Sequence, residues 1–355
     1  MARTLDEVAA LSGVSRATVS RVVNGGPVSE ATRRRVLAVL GSTSYRPNVA
    51  ARALARGRSG VVGVVVHIPP TLLFSDPYFS RLLHGMSEAL SAQAAGMMLW
   101  LGNRSKEETL DRILSIGLLD GAIVTADSLD DPLVDGLIES SLPTVLIGHR
   151  RADRSASYVD VDHVQAADDV TSHLAGLGRT RIGHVTGRRG TVAGEDRIAG
   201  YRRAMERAGL PTDGLVAEGD FTQASGTAAA LELLGRGIDA LFSANDAMAA
   251  GALEAIRSRG LRVPGDVALA GFDDLEFAAR LDPPLTTVHQ GVVEQGTEAA
   301  NALFRLLEDP EGGPRRVILP TELVIRQSTR PLLPREGRGG EAIEDRTMHG
   351  KARPA

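Results

Sequence analysis

The 355 residues are 43% apolar, carry a net charge of −4 and include no cysteine. That composition suits a multi-domain globular chain and excludes a disulfide framework, a thiolate metal site and a thiol nucleophile. No apolar run approaches the roughly 20 residues of a membrane helix, and Met1 is followed by polar and charged residues rather than an export signal, so a cytoplasmic protein with no membrane partner is expected.

The modest net charge conceals a division. Residues 1–60 hold ten arginines against three acids, Asp6, Glu7 and Glu30, which makes them +7 and leaves −11 for the rest. The asymmetry reads as a polyanion-binding head on an acidic body, or as a solvated basic helical face. Thr4-Leu5-Asp6-Glu7 carries the Thr-x-x-Glu pattern of a capping box. It predicts a helix from about Leu5, with Leu5, Val8, Ala9 and, at the edge, Leu11 on one side, and a stop at Ser12-Gly13. A second helix lies in "SRATVSRVVN", capped by Ser15; Val19, Val22 and Val23 take one face and Arg16, Ala17, Ser20 and Arg21 the other. A third, capped by Ser29, should close a small core with Val36, Leu37 and Leu40. Its Arg33-Arg34-Arg35 run reads equally as part of the basic surface or as a solvated face.

Helix, glycine turn, helix is the layout of a helix-turn-helix, in which Ala9 allows close crossing, Gly13 the turn and Val19 the lock. With the second helix in a major groove, Arg16 and Arg21 reach guanine O6 and N7, Ala17 packs on a thymine methyl, and Ser15, Thr18 and Ser20 hold phosphates. Thr4 and Asn24 are counted with them as DNA contacts. Beyond this head, Pro47 disfavours helix at Arg46, Asn48 can cap a short helix and Gly57 ends it, a segment too short to be stable alone.

The stretch "TLDEVAALSGVSRATVSRVVNGGPVSEATRRRV", followed by "YRPNVAARAL", resembles the LacI/GalR family of bacterial transcriptional regulators. The resemblance implies a DNA-binding head over 1–46 and a hinge helix and linker over 47–60. Leu54, with Asn48, Ala51 and Arg52 alongside, would wedge into the minor groove at the centre of an operator.

From Val61 onward, strand-like runs alternate with helical patterns: "VVGVVVHI", "GMMLWLG", "GAIVTA" and "TVLIGH", then "RIGHVTG", "GLVAEGDF", "ALFSAND" and "VALAGFDD". Such alternation predicts parallel sheets with crossover helices. A break near "SASYVDVDH" separates the first four runs from the second, which suggests two α/β lobes facing a cleft. By resemblance the body, 61–330, has the architecture of periplasmic sugar-binding proteins. The expected first lobe covers about 61–160 and 289–320, and the second about 161–288 and 321–330. Residues 331–355, rich in Gly, Pro and mixed charge without periodicity, are read as a disordered tail; lacking a leucine heptad, they favour a homodimer over a coiled-coil tetramer.

Ligand is expected at the carboxyl ends of the strands. The candidates there are Tyr78, Phe79, Arg104, His149, Arg197, Phe221, Asn245, Asp273 and Gln290. By resemblance, Arg197, Phe221, Asn245 and Asp273 match the effector-contacting positions of the family. Amides, carboxylates and aromatic rings favour a sugar over a nucleobase, while Arg104 and Arg197 leave a phosphate or carboxylate open. Asp246 and Asp274 read equally as braces of the scaffold. His163, where many relatives carry asparagine, is taken as a replaced helix cap rather than a ligand contact. No G-x-G-x-x-G, P-loop, G-x-S-x-G or H-E-x-x-H pattern occurs, so neither an enzyme nor a cofactor or metal is expected. A periplasmic transport protein would share the body but lack the basic head. The expected function is a repressor whose operator affinity is controlled by a small-molecule effector, a sugar, in the interlobe cleft.

Overall fold

A computed structural model describes residues 4–23, 25–43, 45, 58–68, 70–101, 105–125, 128, 130–149 and 155–330. Asn24, Asn48, Ala51, Arg52, Leu54, Arg104 and the 331–355 tail lie outside the described residues.

The head is three helices. In α1 (Leu5–Ser12) the Thr4 hydroxyl accepts from the Glu7 amide and the Glu7 carboxylate accepts from the Thr4 amide at 3.0 Å, so two orphan donors are satisfied reciprocally. Gly13, at φ 63°, ends it in the left-handed conformation. In α2 (Arg16–Val23) the Ser15 hydroxyl caps the Thr18 amide at 3.2 Å, and Ser29 caps α3 (Glu30–Ser42) through the Thr32 amide. Val8, Ala9, Val19, Val22 and Val36 form the buried centre, with Leu5, Val23, Val39, Leu40 and Tyr45 against it. Two expectations are corrected: Leu11 and Leu37 are 54% and 51% exposed. Val36, Val39 and Leu40 already fill the inward stripe of α3, and Leu37 is turned off it by about 100°. On α1 the inward place goes to Ser12, whose hydroxyl donates to the Val8 carbonyl at 2.6 Å and is thereby satisfied without water.

The body holds two parallel sheets. Strands β1 (Val61–Val66), β2 (Gly96–Leu101), β3 (Gly121–Thr125), β4 (Thr144–Ile147) and β5 (Ser157–Val161) belong to the first. In the second are β6 (Ile182–Val185), β7 (Val216–Ala217), β8 (Ala240–Ser243) and β9 (Ala268–Ala270), in the order β7-β6-β8-β9. The chain then forms β10 (Thr287–His289) beside β9, returns to the first sheet as β11 (Arg316–Leu319), and crosses back as β12 (Glu322–Val324), antiparallel to β10. The first sheet therefore runs β11-β5-β4-β3-β1-β2, and the chain passes between lobes after β5, after β10 and after β11.

All eight runs singled out in the sequence contain strands, as their β-branched and apolar composition demands when helices cover both faces. The stretch "SASYVDVDH" contains β5, a strand of the first sheet beyond the eight runs, and the chain passes to the second lobe directly after it. Its polar look comes from Asp160, a buried carboxylate that carries a structural role described below.

Among the helices, α4 (Pro70–Ser75) and α5 (Pro77–Ala92) precede β2, α6 (Lys106–Ser115) precedes β3 and α7 (Pro132–Glu139) precedes β4. In the second lobe lie α8 (His163–Gly176), α9 (Val192–Arg207), α10 (Gln223–Gly235) and α11 (Asp246–Ser258). The chain returns through α12 (Val292–Glu308), which packs on α5 where two glycines meet backbone. A β-carbon at Gly85 would lie 2.0 Å from the Val293 carbonyl oxygen, and one at Gly296 would lie 2.1 Å from that of Leu82. Among the described residues no helix is long and apolar enough to cross a membrane.

Candidate functional site

On the head, Arg16, Ala17 and Arg21 are exposed on α2, opposite the buried Val19 and Val22. Thr18 and Ser20 are half-buried at the margin of that face, and the Ser15 and Thr18 hydroxyls bond to each other at 2.9 Å. The ion pair of Arg16 with Asp6, at 3.7 Å, is solvent-exposed on both sides and too weak to hold the arginine against a phosphate or base edge. Thr4 uses its hydroxyl on the α1 cap.

In the body, a cavity of about 870 Å³, open solvent at its mouth included, lies at the carboxyl ends of the strands of both sheets. Thr125 follows from β3, Ile147 and Gly148 from β4, Asp160 from β5, Asn245 from the end of β8 and Asp273 from the end of β9. Tyr78, Phe79, Arg197, Phe221, Asn245 and Asp273 are brought together as its lining. Tyr78 and Phe79 meet edge to face, with ring centroids 5.1 Å apart. The Phe221 ring lies against Gly187, where a β-carbon would come within 2.1 Å of it. Phe221 and Asp273 both adopt positive φ, 73° and 113°. For non-glycine residues such backbone is strained and is retained where a site requires it.

Two sequence candidates do not line the cavity. Gln290 is 1% exposed and donates through Nε2 to Asp273 Oδ1 at 2.5 Å, so it holds the carboxylate from behind. His149 is tied by Nδ1 to Asp160 Oδ2 at 2.6 Å and by Nε2 to Asp196 Oδ2 at 3.5 Å. It thus links the end of β4 in one lobe to α9 in the other.

Conversely, the cavity recruits Asp76, Asp160, His163, Arg188 and Gln295, none of them picked out as ligand contacts from sequence. The reading of His163 as a helix cap is corrected. Asp162 caps α8 through the Gln165 amide, which releases His163 to bond Asp160 at 3.2 Å and Arg197 Nη2 at 3.4 Å. Asp246 accepts from the Leu275 amide and the Thr287 hydroxyl, and Asp274 pairs with Arg326 at 2.7 Å, so both brace the scaffold.

Arg197 is the centre of this arrangement. It is 4% exposed, donates through Nη1 to the Ala244 carbonyl, stands 3.8 Å from Asp273 and lies 3.7 Å over the Phe272 ring. Its Nε is buried without a partner among the described residues. Burial pulls the Arg197 guanidinium down from its usual range, and the carboxylates around it, Asp273 first, oppose that. Burial also raises the Asp273 carboxyl well above the ordinary value, against the pull of Arg197. Asp160 behaves oppositely: although burial pushes it up, His163, His149 and the Val161 amide together hold it below the usual carboxylate range. One polar chain therefore runs Asp196–His149–Asp160–His163–Arg197–Asp273–Gln290–Gln295 across the two lobes. Aromatic and aliphatic walls around such groups can hold a small polyhydroxylated molecule by its faces and its hydroxyls. No cluster with metal-ligand character occurs among the described residues.

Residues 4–48 match the family described as bacterial regulatory proteins, lacI family, and residues 171–329 match the periplasmic binding protein-like domain. The HTH-type transcriptional regulator CelR of Thermobifida fusca is 39% identical over 332 residues, which cover 92% of this chain and 98% of that protein. The regulator GalR of Escherichia coli (strain K12) is 35% identical over 314 residues, with 86% and 90% covered. A solved complex of CelR with cellobiose superposes with a TM-score of 0.73 at 38% identity, covering 92% of this chain and 99% of the other. The lac repressor dimer bound to operator and the anti-inducer ONPF superposes with a TM-score of 0.83 at 28% identity, covering 93% and 99%.

Proposed function

The chain belongs to the LacI/GalR family of bacterial transcriptional regulators, and from that premise we propose that it is a sugar-responsive repressor acting in the cytoplasm as a homodimer. Residues 1–46 read the DNA, 47–60 carry the hinge, and the two lobes of 61–330 bind effector and dimerise. Two heads place Arg16 and Arg21 in successive major grooves of a pseudo-palindromic operator, and paired Leu54 side chains enter the minor groove between them. Leu54, Asn48, Ala51 and Arg52 come to this reading from the family resemblance alone.

The observation that carries the proposal is the pairing, in one chain, of an exposed arginine face on α2 with a cleft whose polar side chains come from both lobes. A ligand bridging those lobes favours one interlobe angle, and therefore one spacing of the heads. Effector and operator are coupled by a free energy of about 1–3 kcal/mol, equal in both directions. An effector that favours the low-affinity angle induces, and one that favours the other corepresses.

The test is selection of bound fragments from random duplexes by the purified chain at fixed salt, repeated with a panel of sugars. An enriched palindrome released or tightened by one sugar supports the reading and gives the sign; no enriched sequence removes it. Within that assay, Arg21→Ala should lower affinity by about 1–3 kcal/mol and relax preference at a single base position. An unchanged base preference would take Arg21 out of the reading set.

A further inference from the structure

The three carboxylates of the cleft are not equivalent. Asp160 is saturated: Oδ1 accepts from the Val161 amide at 2.8 Å and from His163 Nε2 at 3.2 Å, and Oδ2 accepts from the His149 amide at 2.9 Å and its ring at 2.6 Å. No acceptor site is left on it for a ligand. Asp273 commits only Oδ1, to Gln290 and Arg197. Asp76 commits only Oδ1, to the Tyr78 amide at 2.9 Å, as the cap of α5. The Oδ2 atoms of both accept nothing among the described residues, and both side chains line the cavity, one from each lobe. Burial raises each carboxyl, and the Asp76 charge raises Asp273 further.

Among the described residues, the two arginines that line the cleft, Arg197 and Arg188, already have acidic neighbours. Arg197 faces Asp273 and gives Nη1 to a carbonyl. Near the mouth, burial raises the Asp220 carboxyl, but the Thr222 and Ser225 hydrogen bonds and the Arg188 charge together bring it below its usual value, so Arg188 has an acidic neighbour as well.

We propose that Asp76 and Asp273 decide the charge of the effector: the cleft takes an uncharged polyol whose hydroxyls donate to one open carboxylate oxygen on each lobe, and rejects phosphorylated or carboxylated forms. The inference rests on reading the cleft as a sugar site. A hydroxyl donor between the two carboxylates relieves their mutual repulsion and draws the lobes together. An added phosphate brings a third negative charge into the same desolvated space, where the described residues offer no free cation to receive it. Any reaction that supplies this effector must therefore leave it unphosphorylated, as uptake without phosphoryl transfer or glycosidic hydrolysis does.

The experiment is calorimetric titration of the full chain with glucose, galactose, cellobiose and maltose, each beside its 6-phosphate, for wild type and Asp76→Asn. Asparagine keeps the acceptor that caps α5, so the variant should fold. In wild type, the neutral sugar that binds should do so at least about 100-fold more tightly than its phosphate. Asp76→Asn should narrow that ratio by about tenfold or more. Equal or tighter binding of the phosphate by wild type, or an unchanged ratio in the variant, overturns the assignment and leaves the sugar site standing. Binding by no member of the panel, neutral or phosphorylated, overturns the sugar reading and this inference with it.

Discussion

Arg197→Ala is expected to abolish the effect of sugar on operator binding while leaving operator binding itself intact, and to weaken sugar binding by about 100-fold or more. The guanidinium is fully desolvated, stacked on Phe272 and placed between His163 and Asp273, so its removal disconnects the polar chain in the middle and leaves the Asp273 carboxyl buried without its cation. Lysine should not rescue it, because an ammonium neither stacks on the ring nor reaches the Ala244 carbonyl and His163 together. Gel-shift titration with and without sugar, together with calorimetry, reads the effect; a retained response would show that the cleft works without its central arginine. The pH dependence of stability supplies a second check. Asp273 already titrates above its unfolded value because of burial, and Arg197 is the group that restrains the rise. A carboxyl raised in the folded state stabilises the fold only while protonated, so its contribution is lost as pH rises above about 4 toward the folded value. The variant should lose more stability than wild type over that interval.

Gly85→Val is expected to destabilise the body by roughly 3 kcal/mol, the upper part of the usual range for overpacking. In a domain of this size that is about 5 °C in unfolding temperature. The β-carbon would meet the Val293 carbonyl oxygen at 2.0 Å and its carbon at 2.9 Å, and neither can rotate away because both are helix backbone. Only separation of α5 from α12 relieves the clash. Both helices serve the cleft, since Asp76 caps α5 and Gln295 stands in the first turn of α12, so effector affinity should fall with stability. Gly176→Ala is the control: a β-carbon there meets nothing within 4 Å, and the change should be neutral or slightly stabilising. Equal unfolding temperatures for Gly85→Val and wild type would show that the helix crossing is not as tight as described.

The cleft was legible in part. The sequence places Tyr78, Phe79, Arg197, Phe221, Asn245 and Asp273 at or just beyond strand-like runs or on a family pattern, and the fold gathers them around one cavity. His149 and Gln290 met the same criterion but bond to the carboxylates behind the wall. Asp76, His163 and Gln295 lie instead at the starts of α5, α8 and α12. A side chain in a first turn faces the cleft or the neighbouring lobe according to how its helix is docked, and no local pattern carries that information.

What the sequence determined by itself was everything set by neighbours along the chain. The capping box at Thr4 and Glu7, the turn at Gly13, the basic excess of residues 1–60 and the buried run of β1 each depend on contacts within a few residues or on composition. Tertiary structure alone decided that Arg316–Leu319 pairs with Ser157–Val161, that Leu37 faces solvent, and that Asp160 is saturated while Asp76 and Asp273 keep an open oxygen. The physical reason is that a charge or a cap acts where it stands in the chain, whereas the neighbour of a strand or of a buried carboxylate can come from a distant segment, as Arg316 comes to Tyr158 and Arg197 to Asp273, and that approach is fixed by packing.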